Sequence, residues 1–151
     1  MLTRLRGMFA FSIWDDRTRT MFLARDPYGI KPLYYANDGM TVRVASQVKA
    51  LIASGAVSQT RDPAGIAGFL LRGSVPEPFT TYDAIRSVPA GSWMVITSAG
   101  PSEPKSYFSV AAVLREAAHS RPRSDAQRQE LIRHAVADSV TLLRQLGLTS
   151  I

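Results

Sequence analysis

The side chains that most often carry covalent chemistry are scarce in this sequence. None of its 151 residues is cysteine, so it holds no thiolate nucleophile, no disulfide and no thiolate metal ligand. Its only imidazoles are His119 and His134, neither with a partner at metal-ligand spacing, and both read as surface histidines. What stands out instead is the run Arg25-Asp26-Pro27-Tyr28-Gly29-Ile30-Lys31-Pro32, with Tyr34 just beyond it. Adjacent opposite charges beside an apolar strand must be paired or hydrogen-bonded, because a buried charge without a partner is costly. Glycine tolerates positive φ and proline locks its own φ, so Gly29 and Pro32 make Asp26–Pro32 a constrained turn. Such a run does positional chemistry: it fixes a backbone and holds two charges in place.

The elements that must position this run read as short strands. Gly7–Asp15 is apolar on both faces, as in a strand covered on each side. A polar stretch from Asp15 to Thr20 suits a hairpin, and Met21–Ala24 returns as a second strand. Leu33–Ala36 and Thr41–Ala45, joined by the turn Asn37-Asp38-Gly39, supply a third and fourth. The simplest arrangement of these four is one antiparallel meander. Ser46 is placed to cap a short helix over Val48–Ala53 that Gly55 ends. Asp62-Pro63 is an N-cap followed by proline in the first turn, and predicts a helix to about Leu71. Gly73–Thr81, rich in proline, reads as an ordered loop, and Trp93–Thr97 as another strand. His119–Ser124 reads as a linker or loop. Ser124-Asp125-Ala126-Gln127 is a capping-box pattern, and the helix it opens aligns Leu131, Ala135, Ser139 and Leu143 beside Ile132, Val136 and Val140. That stripe predicts a core-facing amphipathic helix that closes at Gly147.

Composition places the chain among globular proteins, with 46% hydrophobic and 20% charged residues. No stretch approaches the roughly 18 apolar residues of a membrane span, and no apolar run follows the basic amino terminus as in a secretory signal. The cytoplasm is the expected compartment, with no membrane partner. The net charge of +6 divides as +5 over 1–61, −1 over 62–111 and +2 beyond, with the cations spaced singly. Nucleic-acid binding needs a patch or stripe, so no nucleic-acid partner is expected.

Four stretches in order carry a resemblance: GMFAFSIWD at 7–15, FLARDPYGIKPLYYA at 22–36, ASQVKAL at 45–51 and GFLLRGSVPEPFTTYDAIRSVPAGSW at 68–93. Together they resemble the class II glutamine amidotransferase domain of glutamine-hydrolysing asparagine synthetases, of Ntn-hydrolase type. The resemblance spans about residues 4–110 and implies an α+β fold, a partial αββα sandwich of antiparallel strands, followed by a C-terminal helix. It implies the C-terminal half of the amidotransferase domain at 1–110, a linker at 111–124, and the first helix of a truncated synthetase domain at 125–151. Candidate scaffold or interdomain positions are Arg25, Asp26, Gly29, Lys31, Tyr34 and Gln47, with Lys31 and Tyr34 at the seam between amidase and synthetase. The family usually has glutamate where Gln47 stands, so the ion pair of that carboxylate is in doubt.

Enzymes of the family use an amino-terminal cysteine, with its own α-amine as base, to release ammonia from glutamine. Their synthetase domain binds ATP, with Mg, at a Ser-Gly-Gly-x-Asp-Ser loop. Neither the cysteine nor the loop lies in 1–151, so the expectation is an internal fragment inactive alone, with no catalytic, substrate-binding or metal residue and no cofactor of its own. Glutamine and aspartate would be substrates only of the full-length parent. The residues Leu146–Ile151 fit the family poorly, as after a frameshift or premature stop. Removing half of a sandwich should expose sheet edges and an apolar face, which predicts a homo-oligomer, docking on missing parent segments, or poor solubility. Two other readings stand beside this one: a non-catalytic module complementing a separately encoded amidase or synthetase, and a related amidotransferase with another acceptor.

Overall fold

A computed structural model describes residues 1–119 and 124–145. These fall into two compact units, Met1–Ala112 and a second beginning at Val113. In the first unit, strands β1 (Ala10–Asp15), β2 (Thr20–Arg25), β6 (Ser92–Thr97), β7 (Gly100–Pro101) and β8 (Lys105–Ser106) make one antiparallel sheet. β1 pairs with β2, β2 with β6, and β6 with both β7 and β8. A second antiparallel sheet holds β3 (Tyr34–Asn37) between β4 (Val42–Ala45) and β5 (Ile85–Ser87). Helices α1 (Val48–Ala53) and α2 (Pro63–Arg72) lie between β4 and β5 in sequence.

The single meander expected for the first four strands is therefore two sheets. The hairpins β1–β2 and β3–β4 form as their turn residues dictate, but β2 next pairs with β6 and β3 with β5. Strand β2 is half-buried over Thr20–Phe22 and buried over Leu23–Arg25, without alternation, so its pattern cannot say which strand lies beside it. The sharp Asp26–Pro32 turn carries the chain from one sheet to the other.

The two sheets pack face to face. Leu23, Met94 and Ile96 from the first meet Leu33 and Val88, with Tyr35, Val42 and Val44 of the second sheet packed against them. On the far side of the second sheet Ala36 and Ile85 bury against Leu51 of α1 and Val57, with Val48 and Ile52 alongside. The first unit is thus an α+β sandwich of antiparallel strands with a helix over the second sheet. The outer face of the first sheet carries an aromatic row: Phe9–Phe11, Phe11–Phe22 and Phe22–Trp93 centroids lie 5.6, 6.2 and 5.5 Å apart. β1 is an edge strand, and its Ile13 and Trp14 are exposed.

Local chemistry explains the helix ends, with one correction. The N-cap of α1 is Gln47 rather than Ser46, and it makes no side-chain capping bond. Asp62 caps α2 as its sequence indicates, its side chain accepting from the Ala64 and Gly65 amides at 2.9 and 3.4 Å. Its other oxygen accepts from Arg86 Nη1 at 2.7 Å. Gly65 lets α2 approach the loop at backbone distance, since a Cβ there would stand 1.9 Å from the Thr80 carbonyl oxygen.

Helix α3 (Val110–His119) occupies part of the stretch read as a linker. Helix α4 (Asp125–Gln145) opens on the expected capping box: the Ser124 amide donates to Gln127 Oε1 at 3.1 Å and the Gln127 amide to Ser124 Oγ at 3.3 Å. Its apolar stripe is not core-facing. Leu131, Ile132, Val136, Val140 and Leu143 are all exposed, and no described residue of α4 is buried. A period of 3.6 records that a stripe exists and does not supply the surface that covers it. The readings made for 120–123, for the stop at Gly147 and for Leu146–Ile151 lie outside the described residues.

Candidate functional site

The candidate positions converge where β2 ends. Asp26, 1% exposed, turns its carboxylate back under the following loop. Oδ1 accepts from the Tyr28 and Ile30 amides at 3.1 Å each, and Oδ2 from the Lys31 amide at 2.9 Å. Its own amide donates to Phe9 O at 2.8 Å, and its carbonyl accepts from the Gly29 and Gly91 amides at 3.0 and 2.8 Å. Burial alone would push the carboxyl pKa up, but the Lys31, Ile30, Tyr28 and Phe9 backbone outweighs it and holds the group below the ordinary carboxylate value. Asp26 thus organises the turn as an anion surrounded by N–H groups.

Arg25 is 7% exposed and spends its guanidinium on four acceptors. Nε donates to Lys31 O at 2.9 Å, Nη2 to Gly29 O at 2.7 Å, and Nη1 to Val88 O at 2.7 Å and Glu77 Oε1 at 2.5 Å. The second Glu77 oxygen accepts from the Ala90 amide at 2.9 Å. A planar fork with fixed donors is the side chain suited to join a turn, a strand end and a loop at once. Gly29 has φ +64°, and a Cβ there would fall 2.9 Å from Arg25 Nη2 and 3.1 Å from Ala90 Cβ, so both backbone and space require glycine.

Two further residues complete the clamp. Tyr107 donates its hydroxyl to Arg25 O at 2.8 Å, and burial, with the Asp26 charge nearby, raises its phenol pKa. The Gly91 carbonyl accepts from the Tyr107 and Phe108 amides at 2.8 and 3.1 Å, and Phe108 meets Tyr28 edge-on at 5.5 Å.

Of the six sequence candidates, Arg25, Asp26, Gly29 and Lys31 come together. Lys31 contributes its backbone to the clamp and is itself exposed. Tyr34 lies on β3 opposite Ala45 and Ser87 and lines a neighbouring cavity with Glu77. Gln47 is exposed at the start of α1 and forms no part of the clamp. Sequence reasoning missed Glu77 and Tyr107. Glu77 carries a signal, a carboxylate between Pro76 and Pro78 in a loop expected to be ordered, but its 52-residue separation from Arg25 hides the pairing.

Chemically the arrangement is closed. The Asp26 carboxylate and the Arg25 guanidinium are directed at protein groups, and neither is displayed as a base, nucleophile or carboxylate receptor. The clamp positions strand ends and a turn.

Residues 1–108 match a family described as the glutamine amidotransferase domain. A putative glutamine-hydrolysing asparagine synthetase of Mycobacterium tuberculosis is 39% identical over 94 residues, covering 60% of this chain and 14% of that protein. Asparagine synthetase 1 of Bacillus subtilis, also glutamine-hydrolysing, is 38% identical over 109 residues, covering 70% of this chain and 17% of its own length. A putative glutamine-hydrolysing asparagine synthetase of Methanocaldococcus jannaschii is 30% identical over 78 residues, or 50% of this chain and 15% of that protein. The chain spans less than a fifth of the length of these relatives. The matched region contains the whole antiparallel sandwich and its clamp, and on that match the chain belongs to the glutamine amidotransferase domain family.

Proposed function

We propose that these residues are the scaffold part of the amidotransferase domain of a glutamine-hydrolysing asparagine synthetase. The parent enzyme, on this reading, takes ammonia from glutamine and delivers it to aspartate activated with ATP. One observation carries the division of labour: a family match over 1–108 in a chain without a single cysteine. The thiolate that attacks the glutamine amide must come from residues other than these. ATP and Mg fit no group in this chain either, since 1–151 contains no Ser-Gly-Gly-x-Asp-Ser stretch to present a helix amino terminus to phosphate. The part played by this chain is to hold the sandwich and to fix the Asp26–Pro32 turn; of the two positions read for the synthetase seam, Lys31 is exposed and remains available for it, while Tyr34 packs partly buried against the core beside α1. Purified chain incubated with glutamine is expected to release no ammonia above a buffer control.

The second reading, a non-catalytic module that docks on separately encoded amidase or synthetase segments, is favoured by the edge position of β1 among the described strands and by the aromatic row from Phe9 to Trp93. Both readings predict that the chain alone elutes from size-exclusion chromatography as an oligomer or aggregate. A monodisperse monomer that unfolds cooperatively would contradict them. A related amidotransferase with a different acceptor keeps the same scaffold, and no residue of 1–151 discriminates the acceptor. The proposed compartment is the cytoplasm; no described helix is long and apolar enough to cross a membrane.

A further inference from the structure

Strand β1 lies at the edge of the first sheet, with β2 as its only neighbour among the described strands. Its ladder with β2 runs without a bulge from Ala10↔Arg25 to Asp15↔Thr20. Just before it, the Asp26 amide donates to Phe9 O. Alternate residues of an antiparallel strand turn their backbone groups to opposite sides. Phe11, Ile13 and Asp15 therefore bond to β2, and Ala10, Ser12 and Trp14 present their N–H and C=O outward. Such an edge is a template for another strand unless something blunts it. Ala10–Asp15 carries no proline, lysine or bulge, and Ser12, Ile13 and Trp14 are exposed.

The two ends of this edge carry opposite charges. Beside its start, an open groove of about 420 Å³ is lined by Met8, Phe9, Ala10 and Phe11 together with Lys31 and Pro32 of the clamped turn. The clamp holds Lys31 by its backbone amide and carbonyl, while its ammonium makes no ion pair among the described residues. At the far end stand Asp15 and Asp16, also without an ion pair among the described residues. An antiparallel partner strand sets its own far end beside this strand's start. A second β1 therefore brings two carboxylates to Lys31, and a two-fold axis repeats the contact at the other end.

We propose that two copies of this chain pair through β1 about a two-fold axis, with Ser12 opposite Ser12 of the second copy. In this register the outward groups of Ala10, Ser12 and Trp14 meet those of Trp14, Ser12 and Ala10 across the axis, so each finds a partner. A slip of two residues leaves an outward pair unmet. Phe11 comes opposite Ile13 of the second copy on the face of the aromatic row, a contact of the kind that stabilises paired strands. Asp16 of the second copy comes opposite Met8, at the groove that Lys31 lines. The interface names the contact behind the oligomer predicted above and rests on that reading.

Sedimentation equilibrium of the full, unmodified chain is expected to show a concentration-dependent dimer. Lys31→Glu is expected to raise its dissociation constant about tenfold, since both symmetric contacts turn from attraction to repulsion. Adding Asp16→Lys to the same chain restores the pair with its signs exchanged and recovers most of the association. Ser12→Pro keeps the β2 ladder, because the Ser12 amide faces outward, and is expected to leave a monomer. The charge exchange, with the fold checked by circular dichroism, decides the matter if the proline variant does not fold. A dimer indifferent to Lys31→Glu, a double variant no tighter than the single one, or a folded Ser12→Pro variant that still dimerises overturns the interface while the oligomer reading stands. A monomeric unmodified chain overturns both.

Discussion

Arg25→Met is expected to destabilise the chain by about 2–4 kcal/mol, measured by urea or thermal denaturation against the unmodified protein. The side chain is of similar length and apolar, so packing is largely kept and the loss is electrostatic. The substitution strips the partner from the Glu77 carboxylate and from the carbonyls of Gly29, Lys31 and Val88 in one step. The Glu77 side chain is 38% exposed, so water and the Ala90 amide compensate most of its charge, and the loss comes mainly from the three carbonyls left without their donor. Arg25→Lys should recover only part of the loss, since one ammonium cannot reach acceptors spread around a planar fork. With total stabilities of about 5–15 kcal/mol, a loss of this size leaves little or no folded population at elevated temperature. A change below about 1 kcal/mol in Arg25→Met would show that the clamp does not hold the turn.

Asp26→Asn is the second large effect, about 2–4 kcal/mol at neutral pH. The amide keeps the shape but replaces one carboxylate oxygen by an N–H donor, which then faces a backbone donor such as the Lys31 amide. The effect has a defined pH dependence. The folded carboxyl pKa lies below the ordinary value, burial being overcome by the surrounding backbone N–H groups, so the folded state favours the anion. Its contribution is fully present above the unfolded pKa of about 4 and is lost as pH falls through the lower folded value. The stability gap between the unmodified chain and Asp26→Asn should therefore narrow as pH drops from about 5 toward 3. A gap that stays constant over that window would mean the carboxylate charge is not what the turn uses.

How much of the fold and the clamp is legible in the sequence depends on the range of each interaction. Asn37-Asp38-Gly39 fixes its hairpin locally: Asp38 Oδ1 accepts from the Met40 and Thr41 amides, and the Arg43 side chain with those amides lowers its pKa to about 2. The Asp62-Pro63 cap and the Ser124/Gln127 capping box are equally local and equally readable. The Arg25-Asp26 dipeptide is legible as a pair of satisfied charges, but its partners are not. The two do not pair with each other; one takes a glutamate 52 residues away and the other takes backbone amides. Sheet membership is hidden for a similar reason. Strand β2 shows no alternation, half-buried in its first half and buried in its second, so its pattern carries no information about β6 as its neighbour. The stripe of α4 is legible as periodic, but its expected burial is wrong, because burial requires a partner surface that periodicity does not encode.

The central proposal is that this chain supplies scaffold and no glutaminase chemistry. The most direct test is a time course of ammonia release from glutamine by the purified full chain, beside a buffer control and a relative that carries the amino-terminal cysteine. The account predicts a rate equal to buffer at every chain concentration, because no residue in 1–151 can supply the thiolate. Ammonia released above buffer in proportion to chain concentration would contradict it, and would place a nucleophile among the hydroxyls or amines of the chain.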